Sequence, residues 1–399
     1  MKYRLIILML FAIQLLKAQT QHAILPSITD ANTVSPNYSH FVYIDGTVTQ
    51  KNKLFLFFPG TGGAPFLYRE ILKEAARLGY HAIGLSYTTA ESINEDICGG
   101  TTDTTCHSRA RYEIFDGTDR HDSLSVDTNN CIQHRTIKLL QYLQGQYPSE
   151  NWAQYFTGDS ITWSKIIVSG HSQGGGHAGF ISKIREVDRV VMFAATDRIP
   201  LLQRDADWIS WNGTTPSNRY YGFTHQHDQS VPFLSLQDTW TNYGLFNYGS
   251  LVLTDTATYP FGNSHTLYTL LTPVNDSTQF HNCIVVDQNT PFDTNGIAVL
   301  KPVWDYLIDS PIALAINKPK VNLDLFHIYP NPAQNIIIID SQLQIFSFAI
   351  FDIAGRIIYS KKNSRDKTQI DCSNFSNGIY FIQLTNGNKF FNQKIIVTK

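Results

Sequence analysis

The chain has 399 residues, more than the roughly 250 to 300 that one hydrophobic core usually serves, so two folded units are expected. Its 31 Lys+Arg and 33 Asp+Glu give a formal net charge of -2. With no basic block to meet a phosphate backbone and no acidic tail, the charge pattern argues against nucleic-acid binding.

Residues Met1 to Ala18 join a basic start (Lys2, Arg4), an apolar run from Leu5 to Leu16 and a small residue before Gln19-Thr20-Gln21, the pattern of a signal peptide cleaved after Ala18. The run is shorter than a membrane span of about 18 to 20 apolar residues and is interrupted by Gln14.

His40 to Ile44 predicts an antiparallel strand at the front of a sheet. From Lys53 onward short apolar runs alternate with amphipathic stretches: strand Lys53 to Phe58, helix Phe66 to Leu78, strand His81 to Tyr87, polar loop Thr88 to Val126, helix Asp127 to Tyr147. Strand Lys165 to Ser169, helix Gly175 to Arg185 and strands Arg189 to Ala195, Arg219 to Thr224 and Ser250 to Thr254 follow. This is the rhythm of a mostly parallel sheet covered by helices on both faces. Cys98 and Cys106 sit close together in the Gly/Thr-rich part of the polar loop and are expected to form a disulfide in an exported protein. Cys131, Cys283 and Cys372 read as buried thiols, and no Cys/His spacing resembles a zinc site.

Gly170-His171-Ser172-Gln173-Gly174 lies directly after a strand and before a helix, the context of a G-x-S-x-G nucleophile elbow. Glycines flank such a serine because the turn is sharp and crowded. The expected fold is therefore the doubly wound α/β-hydrolase sheet, with Ser172 as nucleophile. The N–H of Gln173, at the start of the next helix, is a natural oxyanion donor. A second donor is expected from Pro59-Gly60-Thr61-Gly62-Gly63 after the first parallel strand: Thr61, with Gly62 as the alternative.

A serine hydroxyl needs a histidine base held by a carboxylate, and in this fold they follow in the order Ser, acid, His. Asp228, just past the strand Arg219 to Thr224, is the expected acid, with Asp197 as runner-up. Two histidines compete for the base. His265 follows the strand Ser250 to Thr254 by one loop, whereas Thr266 to Leu271 could return as a hairpin and carry His281 away; yet the His281 segment resembles the histidine loop of some polyester-depolymerase-like esterases. His225 and His227 read as neighbours shaping the acid loop, and His177 as a packing residue. No metal or organic cofactor is implied.

Past Leu307 the composition changes. The expected division is a signal peptide at 1–18, a catalytic domain at 19–310, a linker at 311–325 and a small all-β sandwich at 326–399, with strands at Asn335 to Asp340, Ile345 to Asp352, Arg356 to Ser360, Ile379 to Leu384 and Lys394 to Thr398. Its segments Tyr329-Pro330-Asn331-Pro332, Ile350-Phe351-Asp352-Ile353-Ala354-Gly355-Arg356, Ser376-Asn377-Gly378-Ile379-Tyr380 and the terminal Lys394-Ile395-Ile396-Val397-Thr398-Lys399 resemble the type A C-terminal sorting domain of the type IX secretion system. That resemblance implies the secretion machinery as partner, passage through the outer membrane, and a secreted or surface location. From His40 to Ile308 the chain resembles an uncharacterised bacterial branch of α/β hydrolases, carried by Ile97-Cys98 with Cys106-His107-Ser108-Arg109, Gly170 to His177, and Tyr220 to Gln226.

The expected activity is carboxylic-ester hydrolysis (class EC 3.1.1) through a Ser-His-Asp triad, on a small-molecule or polymeric ester. The alternatives are a peptidase or amidase on the same fold, which would want a recognition site for a terminal amine, and a surface binding protein that kept the fold without the chemistry. The oligomeric state and the acyl specificity are not legible in the sequence.

Overall fold

The computed structural model describes residues 19–311, 326–341, 346–353, 355–364, 367–386 and 389–399. The expected signal peptide, residues 312–325 of the expected linker and Ala354 of the tail motif lie outside the described residues.

Among the described residues a nine-stranded sheet is built from β1 (Thr20–Ile24), β2 (His40–Ile44), β3 (Leu54–Phe58), β4 (His81–Gly84), β5 (Ile166–His171), β6 (Arg189–Phe193), β7 (Tyr220–His225), β8 (Val252–Leu253) and β9 (Thr266–Thr269). Their order across the sheet is β1-β2-β4-β3-β5-β6-β7-β9-β8. β2 pairs antiparallel with β4 and with β1; every pairing from β4 through β8 is parallel. β3, β5 and β6 are buried at every position, as strands covered on both faces must be.

The period of two along β3 sorts its side chains into two cores. Leu54, Leu56 and Phe58 face one cluster, which holds Leu139, Leu140 and Leu143 of the helix α3 (Ile132–Gln146), preceded in the chain by α1 (Arg69–Arg77) and α2 (Cys106–Asp116). The same cluster takes Ala178, Phe180 and Ile181 of α4 (Gln173–Ile184). Phe55 and Phe57 face the other, with Ile71, Leu72 and Ala75 of α1. Val303, Trp304 and Leu307 also join it, from α6 (Lys301–Asp309), which follows α5 (Phe233–Asn242).

Besides β1, α5 and α6, which were not among the expected elements, two stretches of the catalytic unit differ from expectation. The polar loop contains α2, whose buried side includes Arg111 and Glu113. Glu113 is buried because its carboxylate accepts three backbone N–H groups, from Arg120 and His121 (2.9 Å each) and Val126 (3.2 Å). Charged residues on the inner face erase the apolar period that would announce a helix. The stretch Thr266 to Leu271 is no hairpin: as β9 it runs parallel between β7 and β8.

The tail forms two antiparallel sheets: β10 (Phe326–Tyr329), β11 (Ile336–Ser341) and β14 (Lys367–Asp371) in one, and β12 (Phe346–Phe351), β13 (Ile357–Ser364), β15 (Gly378–Asn386) and β16 (Lys389–Val397) in the other. Both feed a single buried cluster, with Ile337, Ile339 and Ile370 from the first and Phe348, Ile350, Ile382 and Ile395 from the second. β10 and β14 were not legible as strands in the sequence.

Cys98 and Cys106 are joined in a disulfide with Cα atoms 5.9 Å apart, and Cys106 is the first residue of α2. Closing a ring this short stabilises by about 2 to 3 kcal/mol through loss of unfolded-chain entropy. The double variant Cys98→Ala/Cys106→Ala should unfold at correspondingly lower urea concentration, with the slope of the transition unchanged or slightly larger.

Candidate active site

β5 delivers the chain to Ser172, whose backbone sits at φ 54°, ψ -123° as the N-cap of α4. For a non-glycine residue this conformation costs on the order of 1 to 3 kcal/mol. It is held by the Ser172 N–H donating to the Phe193 carbonyl (2.8 Å) and by the Gly176 N–H donating to the Ser172 carbonyl (3.0 Å). The flanking glycines are required by space: a Cβ on Gly170 would lie 2.3 Å from the Gly174 carbonyl carbon, and one on Gly174 would lie 2.0 Å from the Phe58 oxygen.

Asp228 follows β7 by three residues. Its Oδ1 accepts the N–H groups of Ser230 and Val231 (2.8 Å each), and its Oδ2 meets His281 Nδ1 at 2.7 Å. The carboxylate is fully buried and the imidazole nearly so. A carboxylate bound to Nδ1 fixes the ring and leaves Nε2 as the basic nitrogen. Nε2 of His281 and the hydroxyl of Ser172 make no hydrogen bond to another described residue, a looseness common in sites without substrate.

The histidine loop is gripped from beneath. The His281 N–H donates to Gln229 Oε1 (2.9 Å), and its carbonyl accepts from His171 Nε2 (3.0 Å), so the residue just before the nucleophile holds the loop that carries the imidazole. The two rings lie 4.5 Å apart. His171 Nδ1 is 3.1 Å from the Tyr68 hydroxyl, whose oxygen accepts the Gly60 N–H (3.1 Å). Only one proton placement satisfies this chain: Nε2 protonated, Nδ1 accepting from Tyr68. His171 is thereby neutral, and burial, with the neighbouring His281, holds its pKa well below the usual histidine range.

The structure does not bring His265 to this site. It precedes β9, and Gly222 in the middle of β7 pairs with Thr266, so His265 lies toward the N-terminal end of the parallel strands, away from the edge where Ser172 and Asp228 emerge. Its ring is stacked between Tyr221 (4.0 Å) and Tyr248 (4.7 Å), and its Nδ1 binds the Tyr220 carbonyl (2.8 Å). Burial depresses its pKa to about 4. Asp197, the runner-up acid, has no histidine to hold: both its oxygens are taken by Arg111, at 2.6 Å each, and Oδ2 also accepts the Trp208 indole N–H (2.9 Å). His225 is held by the Leu271 carbonyl (3.0 Å) and the His227 N–H (2.9 Å), which shapes the acid loop.

At the oxyanion side the Gly62 N–H is committed to the Thr89 carbonyl (2.7 Å) and is not available. The N–H groups of Thr61 and Gln173 meet no acceptor among the described residues. The side chains of these two residues touch, Thr61 Oγ1 donating to Gln173 Oε1 at 3.2 Å, which brings the loop after β3 against the start of α4. His171 and Tyr68 escaped the reading of the sequence. His171 is the variable position of G-x-S-x-G, and Tyr68 looks like an ordinary apolar position of a helical stretch.

Residues 327–398 match the secretion system C-terminal sorting domain family. No curated protein matches the chain significantly. Among solved structures the chain is similar to PorZ, an essential surface component of the type IX secretion system of Porphyromonas gingivalis, at 18% identity over 20% of this chain and 12% of that one, with a TM-score of 0.18. It is also similar to a candidate dienelactone hydrolase from Klebsiella pneumoniae, at 9% identity over 64% of this chain and 86% of that one, with a TM-score of 0.32. The first spans only about an eighth of the protein it matches, and at such scores neither carries an argument about the site. The tail, by its family, marks the chain for export to the cell surface or the medium through type IX secretion.

Proposed function

We propose that the protein is an exported serine hydrolase that cleaves carboxylic esters, with Ser172 as nucleophile, His281 as base and Asp228 as the acid that holds it. The observation that carries this reading is the strained backbone at Ser172 on the same sheet edge as a buried Asp228–His281 pair, with His171 tying the two together. Strain of this kind persists where surrounding structure over-determines it, and such places cluster at reactive centres.

In this mechanism Nε2 of His281 takes the Ser172 proton as the hydroxyl oxygen attacks the ester carbonyl. Charge on the carbonyl oxygen is met by the N–H groups of Thr61 and Gln173 at the positive end of α4. The tetrahedral intermediate expels the alcohol, which receives the proton from His281. Water, deprotonated by the same nitrogen, then releases the acid and restores Ser172. Asp228 holds the Nδ1 side of the ring and stabilises the imidazolium. An ester is preferred to an amide here by analogy with the fold. In the same reading residues 1–18 are removed on export, 19–310 are the catalytic unit, and the tail serves transport.

On p-nitrophenyl acetate, Ser172→Ala and His281→Ala should each lower kcat/KM by about 10³-fold or more, and Asp228→Asn by about 10²- to 10⁴-fold. His265→Ala should stay within about threefold of the parent activity while losing about 1 to 3 kcal/mol of stability. A fluorophosphonate that fails to label Ser172 in the folded protein would sink the reading and favour the binding-protein alternative. Deleting residues 327–399 should leave ester turnover intact and abolish appearance of the protein outside the cell, as followed by immunoblot of the medium and surface fractions. Loss of turnover on that deletion would show the tail to be part of the enzyme.

A further inference from the structure

Arg111 and Asp197 form an ion pair with side chains 1% and 0% exposed, deep in the catalytic unit. It is bidentate: Nε to Oδ2 and Nη2 to Oδ1, at 2.6 Å each. Taking two charges out of water is expensive, and an apolar pair of the same volume often serves stability equally well. Stability alone therefore does not account for it. The remaining guanidinium nitrogen points to another role, because Nη1 donates to the carbonyl of Gln173 at 3.0 Å.

Gln173 is the first residue of α4, and both of its oxygens are held, while its buried side-chain Nε2 meets no acceptor among the described residues. Its Oε1 accepts from the Ile93 N–H (2.8 Å) and from Thr61 Oγ1 (3.2 Å), and its carbonyl accepts from Arg111. The backbone N–H remains for the substrate. The glycines after the nucleophile make room for the clamp: a Cβ on Gly176 would lie 2.0 Å from Nη2 of Arg111. The guanidinium thus lies flat against the first turn of α4. Its own position is set by Asp197, by the Trp208 ring 5.7 Å from its central carbon, and by α2, whose first residue is bonded to Cys98.

We propose that Arg111 is a positioning residue for the oxyanion hole: anchored by Asp197, it holds the Gln173 carbonyl and with it the first peptide plane of α4, which limits the rotation about Gln173 that would turn the adjoining Ser172–Gln173 peptide and its N–H away from the developing oxyanion. This assignment rests on the serine-hydrolase reading above. A donor locked before reaction pays no reorganisation when charge develops, which is how such groups gain their effect.

The test compares the full chain with Arg111→Met/Asp197→Leu, which replaces the ion pair by apolar groups, and with Arg111→Lys, which keeps the charge opposite Asp197 but gives up the fork that reaches Gln173. Each is assayed on a matched phenyl ester and thionoester, since a thiocarbonyl sulfur accepts hydrogen bonds poorly and gains little from the hole. Both variants are expected to stay folded and to lose about 10- to 100-fold in kcat on the oxygen ester with KM nearly unchanged. The preference for oxygen ester over thionoester should shrink by the same factor. A variant that melts like the parent and keeps its kcat, or that loses equally on both substrates, overturns the proposal, because a merely structural defect would not distinguish oxygen from sulfur. If the parent itself shows no Ser172-dependent turnover of either ester, the hydrolase reading fails and this assignment falls with it.

Discussion

At Ser172 an L-residue is held at positive φ with a hydrogen bond on each side of it, and the surroundings allow nothing else. β5 pairs with β3 on one side and β6 on the other, so the strand leading into the turn is locked in register over its length. Gly170 and Gly174 then meet almost in contact, and a single methyl at either would collide with backbone. The helix that begins at Gln173 cannot start earlier or later without breaking that register. What the turn achieves is placement: the hydroxyl stands above the sheet edge and the first N–H of the helix stands beside it. The strain is sustained by the two buried cores that the sheet separates.

Parallel register decides which histidine shares that edge. In a parallel sheet every strand ends on the same side, so residues just after strands converge while residues just before them lie at the opposite end. Asp228 comes after β7 and His281 after β9, whereas His265 comes before β9. The sequence could not resolve this because Thr266 to Leu271 has the same pattern whether it returns as a hairpin or crosses over to run parallel. The choice depends on the gap between β7 and β8, a fact of tertiary structure that no local pattern carries.

Most strands of the sheet, the helices α1, α3 and α4 and the elbow were legible because each depends on short-range signals: continuous apolar runs for strands buried on both faces, and glycines at fixed offsets around a serine. The helix α2 was hidden for the opposite reason. Its inward face carries Arg111 and Glu113, and their burial is tolerable only because distant groups complete them, Asp197 for one and three N–H donors for the other. The same holds for His171, whose meaning comes from Tyr68 on one side and His281 on the other. In the tail, β10 and β14 are short edge members of a sheet whose central strand, β11, carries the strong signal Ile336-Ile337-Ile338-Ile339.

Two aspartates follow neighbouring strands, Asp197 after β6 and Asp228 after β7, and both are buried. They differ in the cation offered. Burial by itself pushes the Asp197 carboxyl toward protonation, but the charge and hydrogen bonds of Arg111 outweigh it and hold its pKa below the usual carboxylate range. A guanidinium never gives up its proton, so that pair is permanently charged and can only orient. Asp228 faces an imidazole instead, the group that under the proposed function takes and returns the Ser172 proton. Two backbone N–H groups on its other oxygen fix the carboxylate without a competing cation. Under the proposed function the division of labour between two otherwise equivalent loop positions follows from one choice of partner: arginine where geometry is held, histidine where a proton moves.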